Sequence, residues 1–168
     1  PEASSVHLVR FARAALPLAT ATLLLAAQPA AAGMEEAVKA LQANDPVTAE
    51  KELQLLAKER DPSAQFLLGL YVYGNAESKL FDINKATPLL LDASERGYLP
   101  AMVPLAGAYA EGKGVPKSLF EAYKWCAIAE HWNVPSANLA LEQAARELPP
   151  AEAEKAKAAA LAYTFKTK

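Results

Sequence analysis

At 168 residues, 52% hydrophobic and 21% charged, the chain is long enough for one globular domain with its own core. Its formal net charge of −2 lacks the basic excess that nucleic-acid binding requires, and its single cysteine, Cys126, excludes both a disulfide framework and a Cys-x-x-Cys redox or zinc motif. Alanine, leucine, glutamate and lysine dominate, and no stretch joins β-branched enrichment to period-two alternation, so an all-α fold is expected.

His7, Arg10 and Arg13 give a basic start, residues 14–27 are almost uncharged and apolar, and Ala30, Ala31 and Ala32 precede Gly33. These are the three parts of a secretory signal peptide, with cleavage expected after Ala32. The alternative is an uncleaved membrane anchor, because residues 14–33 approach the roughly 20 apolar residues that span a bilayer. Pro17, Gln28 and Pro29 count against it. An exported protein with one thiol points to the periplasm of a Gram-negative bacterium, or to an inner-membrane-anchored protein facing the periplasm.

The body, residues 33–168, reads as a succession of helices. Met34, Ala37, Val38 and Leu41 recur at i, i+3, i+4, i+7 and predict one helical face. Asn44-Asp45-Pro46 breaks that helix, and residues 47–59 place Ala49, Leu53, Leu56 and Ala57 on the next face. Asp61, followed by Pro62, is a predicted N-cap. The second pair opens at Pro62 and runs to Gly74; Asp82 caps its partner, which carries Ala86, Leu89, Leu90 and Ala93 and stops at Gly97. The third pair spans residues 99–110, turns through Glu111-Gly112-Lys113-Gly114, and resumes at Ser118 with Ala122, Trp125 and Ala129. The fourth begins at Pro135, and Pro149-Pro150 starts a last helix expected to reach Phe165.

The register is regular. Ala64, Ala101 and Ala137 stand 37 and 36 apart, as do Leu68, Leu105 and Leu141; Leu53, Leu89 and Trp125 are each 36 apart, as are Ala57, Ala93 and Ala129. One helix pair cannot bury both its faces, so pairs at a fixed period must stack. An α/α solenoid, a right-handed superhelix of about four helix pairs, is expected, with repeats near residues 33–61, 62–98, 99–134 and 135–165.

Over residues 33–165 the chain resembles the Sel-one-like repeat family, relatives of the tetratricopeptide repeats. The best copy matches the family's pattern at Ala101, Leu105, Tyr109, Gly112, Gly114 and Val115, then at Ala122, Trp125, Ala129 and Ala137. The preceding copy matches at Ala64, Leu68, Gly69, Asp82, Lys85, Ala86, Ala93 and Gly97. Ala106 stands for the pattern's glycine, Ser118 for its aspartate and Asn133 for its last glycine, and the loop after Gly74 lacks Gly-x-Gly-Val. Some members are cysteine-rich with a disulfide in each repeat, and activities suggested for those do not transfer to a chain with one cysteine. The resemblance implies a non-catalytic adaptor or scaffold for protein–protein interaction.

No Ser-x-x-Lys, Gly-x-Ser-x-Gly, His-Glu-x-x-His or phosphate-loop motif occurs, which argues against a cell-wall-active enzyme. Beyond residue 32 one histidine remains, His131, so no metal or other cofactor is expected; Cys126 is assigned to a helix-pair core rather than to a metal or thiol site with Glu130 and His131. Trp125, Tyr109 and Leu89 are expected in the core. His131 and Trp132 are expected between repeats, with an exposed contact as the alternative. Phe66, Leu70, Tyr73, Val103 and Asn138 point away from the Ala/Leu columns of the first helices and are the expected partner-binding residues of a concave groove, with Phe66 and Tyr73 as aromatic anchors. The partner would be a protein or peptide; the alternative function is a structural accessory subunit of a membrane or envelope complex.

Overall fold

The computed structural model describes residues 29–166. The expected leader and its anchor alternative fall largely on residues 1–28, outside the described residues. Helix α1 (Pro29–Gln42) starts on a proline, favourable where the missing N–H is not needed, and places Ala30, Ala31 and Ala32 near its start.

Aspartate side chains mark the starts of the next three helices. Asp45 caps α2 (Pro46–Lys58), accepting from the Val47 and Thr48 N–H groups at 3.2 Å each. Asp61 caps α3 (Pro62–Leu67) through the Ala64 N–H at 2.9 Å, and α3 passes directly into a π-helical stretch, Leu68–Tyr73. Asp82 caps α4 (Ile83–Glu95) as expected. A 3-10 turn, Leu99–Ala101, leads into α5 (Met102–Glu111), and Ser118 caps α6 (Leu119–His131). Helices α7 (Ala137–Glu147) and α8 (Pro150–Leu161) complete the set, with no strand among the described residues.

The helices pack as hairpins α1–α2, α3–α4 and α5–α6, and each second helix also packs on the next first helix. The last pair departs from this. Helices α7 and α8 both lie on α6 and barely touch one another. The chain also leaves the helix at Leu161 instead of continuing to Phe165, and residues 163–166 return across α6 to the end of α4. In a helix Tyr163 and Phe165 would point to nearly opposite sides, whereas in an extended segment alternate residues share a side. Extension lets both rings pack on the same apolar cluster.

The alanine and leucine columns form the core. Ala64, Ala101 and Ala137 are fully buried, as are Leu53, Ala93 and Ala129, with Trp125 and Leu105 beside them and Leu89 and Tyr109 partly buried. Small residues in these columns let helix backbones approach, and the large side chains fill the space alongside. One expected face is rotated: α1 meets α2 through Ala37 and Ala40, leaving Val38 37% exposed, because the crossing selects the small residues at i and i+3.

Helices α2, α4 and α6 end in the same way. Arg60, Gly97 and Asn133 adopt left-handed backbone (φ 64°, 82° and 56°), and the next N–H in each case reaches back to the carbonyl of Leu56, Ala93 or Ala129 at 2.9–3.0 Å. This is the Schellman arrangement, and it explains how Asn133 replaces a glycine: asparagine tolerates the left-handed region better than other side chains.

The shift from 37 to 36 in the period also has a structural cause. Leu68 and Leu105 are 37 apart, but Tyr73 and Tyr109 are 36 apart, so the second repeat carries one extra residue between them. The π-helical stretch Leu68–Tyr73 absorbs it. Beyond it the register is restored: the Asp82 N–H donates to the Tyr73 carbonyl and the Ser118 N–H to the Tyr109 carbonyl, each at 2.9 Å. The loop after Gly74 therefore closes with the same bond as the glycine-rich loop despite its different sequence.

Two glycines allow the backbones of different segments to touch. A Cβ on Gly69 would lie 2.9 Å from the Ala86 carbonyl oxygen. Gly114 has φ 70°, and a Cβ there would lie 2.5 Å from the Ile83 carbonyl oxygen; beside it, the Thr87 hydroxyl donates to the Lys113 carbonyl at 2.8 Å, tying the α5–α6 loop to α4. Gly69→Ala and Gly114→Ala are each expected to lower stability by about 1–3 kcal/mol, read from urea unfolding by circular dichroism.

Candidate interaction surface

One face of α5 carries Val103, Ala106, Gly107 and Ala110 at i, i+3, i+4, i+7. One face of α7 carries Ala140, Gln143, Ala144 and Glu147 at the same spacing. These two first helices wall a cleft of about 690 Å³ with Leu119, Ala122 and Cys126 of α6 between them. Small side chains create the space, and Glu111, Lys117, Gln143 and Glu147 bring polar groups of both signs to it.

Gly107 is unlike the other glycines. It sits inside α5, takes no left-handed conformation, and a Cβ built on it meets nothing within 4 Å. Glycine within a helix costs roughly 0.5–1 kcal/mol relative to alanine, and no neighbour requires it here. It leaves the α5 wall of the cleft without a side chain at this position.

The predicted binding residues are not brought together. Val103 lines the cleft, half-buried. Asn138 is exposed on α7 but does not line it. Phe66 and Leu70 pack against the core around α4 to α6, and the Phe66 ring is engaged by Tyr98 at 5.3 Å and edge-on by Tyr71 at 6.0 Å. Tyr73 is only 5% exposed and cannot be a free anchor: the extra π-helical residue turns it into the column of Tyr109. Its hydroxyl donates to Glu50 Oε1 at 2.5 Å and accepts from Gln54 Nε2 at 3.2 Å. Gly107 lies outside the predicted set, although a glycine in mid-helix, away from any turn, is a signal visible in the sequence.

His131 and Trp132 are exposed rather than packed between repeats, Trp132 at 53%, because they are the last residue and the C-cap of α6, where the Schellman cap turns the chain away. They border a second cleft of about 610 Å³ among α6, α7, α8 and residues 163–165, which shares no lining residue with the first. Cys126 does not converge with Glu130 and His131; among the described residues no three His, Cys, Asp or Glu side chains gather as a metal site. The Cys126 thiol is 2% exposed, and burial pushes its pKa from 9.0 up to about 11. Burial likewise raises Tyr73, Tyr109 and Tyr163, Tyr73 with help from Glu50.

No family model and no curated protein matches the chain. A solved structure does. A protective antigen present in uropathogenic Escherichia coli strains, whose crystal structure displays an SLR fold, superposes on 78% of this chain with a TM-score of 0.71 at 20% sequence identity. This chain spans 29% of that protein's length. At this identity the likeness is one of fold: the chain has the Sel-one-like repeat fold that its motifs resemble.

A group protonated more readily when folded contributes stability that is present below its unfolded pKa and lost as pH rises through its folded value. Stability is therefore expected to fall as pH rises above about 9, with Cys126→Ala flattening the fall between pH 9 and 11; urea midpoints across that range test this. At pH 8 native Cys126 is expected to react with a soluble thiol reagent at least about tenfold more slowly than in urea.

Proposed function

We propose that this chain is a non-catalytic protein-interaction scaffold that takes a segment of a partner protein into the cleft between α5 and α7. Gly107 carries this reading: the helix accepts a stability cost at a position that lines the cleft and where a Cβ would meet nothing within 4 Å. The small, apolar floor suits apolar partner side chains, and the mixed charges around it suit a polar rim that fixes orientation. The Sel-one-like repeat fold supports a protein partner in general terms, since stacked helix pairs present extended surfaces of this kind.

The proposal extends to location. The basic start, apolar stretch and Ala-x-Ala site support export to the periplasm with cleavage after Ala32; retention of that stretch would favour the alternative, an accessory subunit tethered to a membrane complex. The intact mass of protein recovered from periplasm separates the two, with loss of residues 1–32 expected.

The cleft is tested by filling it. Gly107→Ala is expected to raise stability by about 0.5–1 kcal/mol, because the helix gains propensity and the Cβ meets open space. Gly107→Trp should leave the circular dichroism spectrum intact and abolish crosslinking to the partner captured by the wild-type chain, while Val38→Ala, outside the cleft, leaves it unchanged. Capture that survives Gly107→Trp with the same partner and yield would refute the cleft as the binding site.

A further inference from the structure

Residues 163–166 are bound to the rest of the fold as a peptide is bound to a receptor. They follow α8 without entering a helix or sheet. The Tyr163 ring meets the buried Trp125 ring edge-on at 5.2 Å, with the Lys124 ammonium 5.9 Å from Tyr163 and 5.3 Å from Trp125. Phe165 lies against Gly97, where a Cβ would come within 3.4 Å of its ring, and 6.3 Å from Trp132. The Lys166 N–H donates to the Glu95 carbonyl at 2.7 Å, and its ammonium pairs with the Glu95 carboxylate. Thr164, between the two rings, is exposed.

None of these contacts depends on the connection to α8. Each is made by a side chain or backbone group of an extended segment whose alternate residues face the receptor. The hold consists of one main-chain hydrogen bond to α4, one exposed ion pair, and two partly buried rings, one of them beside the Lys124 ammonium. Beside it the 610 Å³ cleft remains, with Trp132 and the 69%-exposed Leu161 at its edge.

We infer that the surface formed by Glu95, Gly97, Lys124, Trp125 and Trp132 is a peptide-binding site for an extended aromatic-x-aromatic-lysine segment of a partner protein, held closed in this chain by its own residues 163–166. The occupied site defines what it recognises. Two rings at i and i+2 fit the Trp125 and Gly97 positions, and a following lysine pairs with Glu95. A partner carrying this pattern displaces the strap and gains the adjoining cleft. The site shares no lining residue with the α5–α7 cleft.

The probe is a synthetic peptide, Leu-Ala-Tyr-Thr-Phe-Lys, added to the full chain and followed by the indole N–H resonances of Trp125 and Trp132. The wild-type chain should bind it weakly, because the tethered strap competes at high effective concentration. Tyr163→Ala/Phe165→Ala should bind it at least tenfold more tightly. Glu95→Lys provides a test that loss of fold cannot imitate: it should prefer the peptide ending in Glu over the one ending in Lys, reversing the preference of the strap-weakened chain. Absence of binding to the strap-weakened chain, or no reversal at Glu95→Lys, would overturn the inference. So would a wild-type dimer that the peptide fails to dissociate, which would assign the surface to a second copy of the chain.

Discussion

Helix crossings in this fold are held at the separation that alanine allows. Ala64 and Ala137 on the first helices, Ala101 in the turn that leads into α5, and Ala93 and Ala129 on the second helices are fully buried, so any larger side chain at these positions would push backbones apart. Gly69 takes the same constraint further, its α-carbon facing the Ala86 carbonyl with no room for a methyl group. Leu53, Leu105 and Trp125 then supply the apolar volume that such small residues cannot, each almost wholly removed from water. Helix α4 joins the two apolar clusters: Ala86 belongs to the one built on α1 to α3, while Leu90 and Ala93 belong to the one that continues to α8.

Stacking at a fixed distance also requires each second helix to end at a fixed point, and the Schellman caps at Arg60, Gly97 and Asn133 do this with three different residues. The repeat therefore recurs within the chain as backbone geometry more than as residue identity. The π-helical stretch makes the same point. One inserted residue would rotate everything after it by about 100°, and the local widening of the helix confines that rotation to Leu68–Tyr73.

Packing leaves part of the surface uncommitted. The strongest residues of the pattern are committed to stacking, so the α5–α7 cleft is built from small side chains and from one glycine whose neighbours leave it free. Helix α8 also lies on α6 without packing along α7, and the strap of residues 163–166 meets Trp125 through Tyr163. The strap lies where the last helix pair departs from the regular array. The two surfaces lie on separate sets of residues.

By itself the sequence determined the helical class, the succession of helices, the caps at Asp61 and Asp82, the turn at Gly112 and Gly114, and the alanine and leucine columns. All of these depend on spacing and local backbone chemistry, which act over a few residues and repeat. Only the tertiary structure decided which way Tyr73 faces, since a helical wheel assumes 3.6 residues per turn and the π-helical residue breaks that assumption. It also decided that Phe66 is engaged by Tyr98, that Trp132 lies in the open, and that residues 163–166 leave the helix. Those outcomes depend on partners far along the chain, and for Tyr163 and Phe165 the gain from burying both rings on one side outweighs the local preference to continue α8.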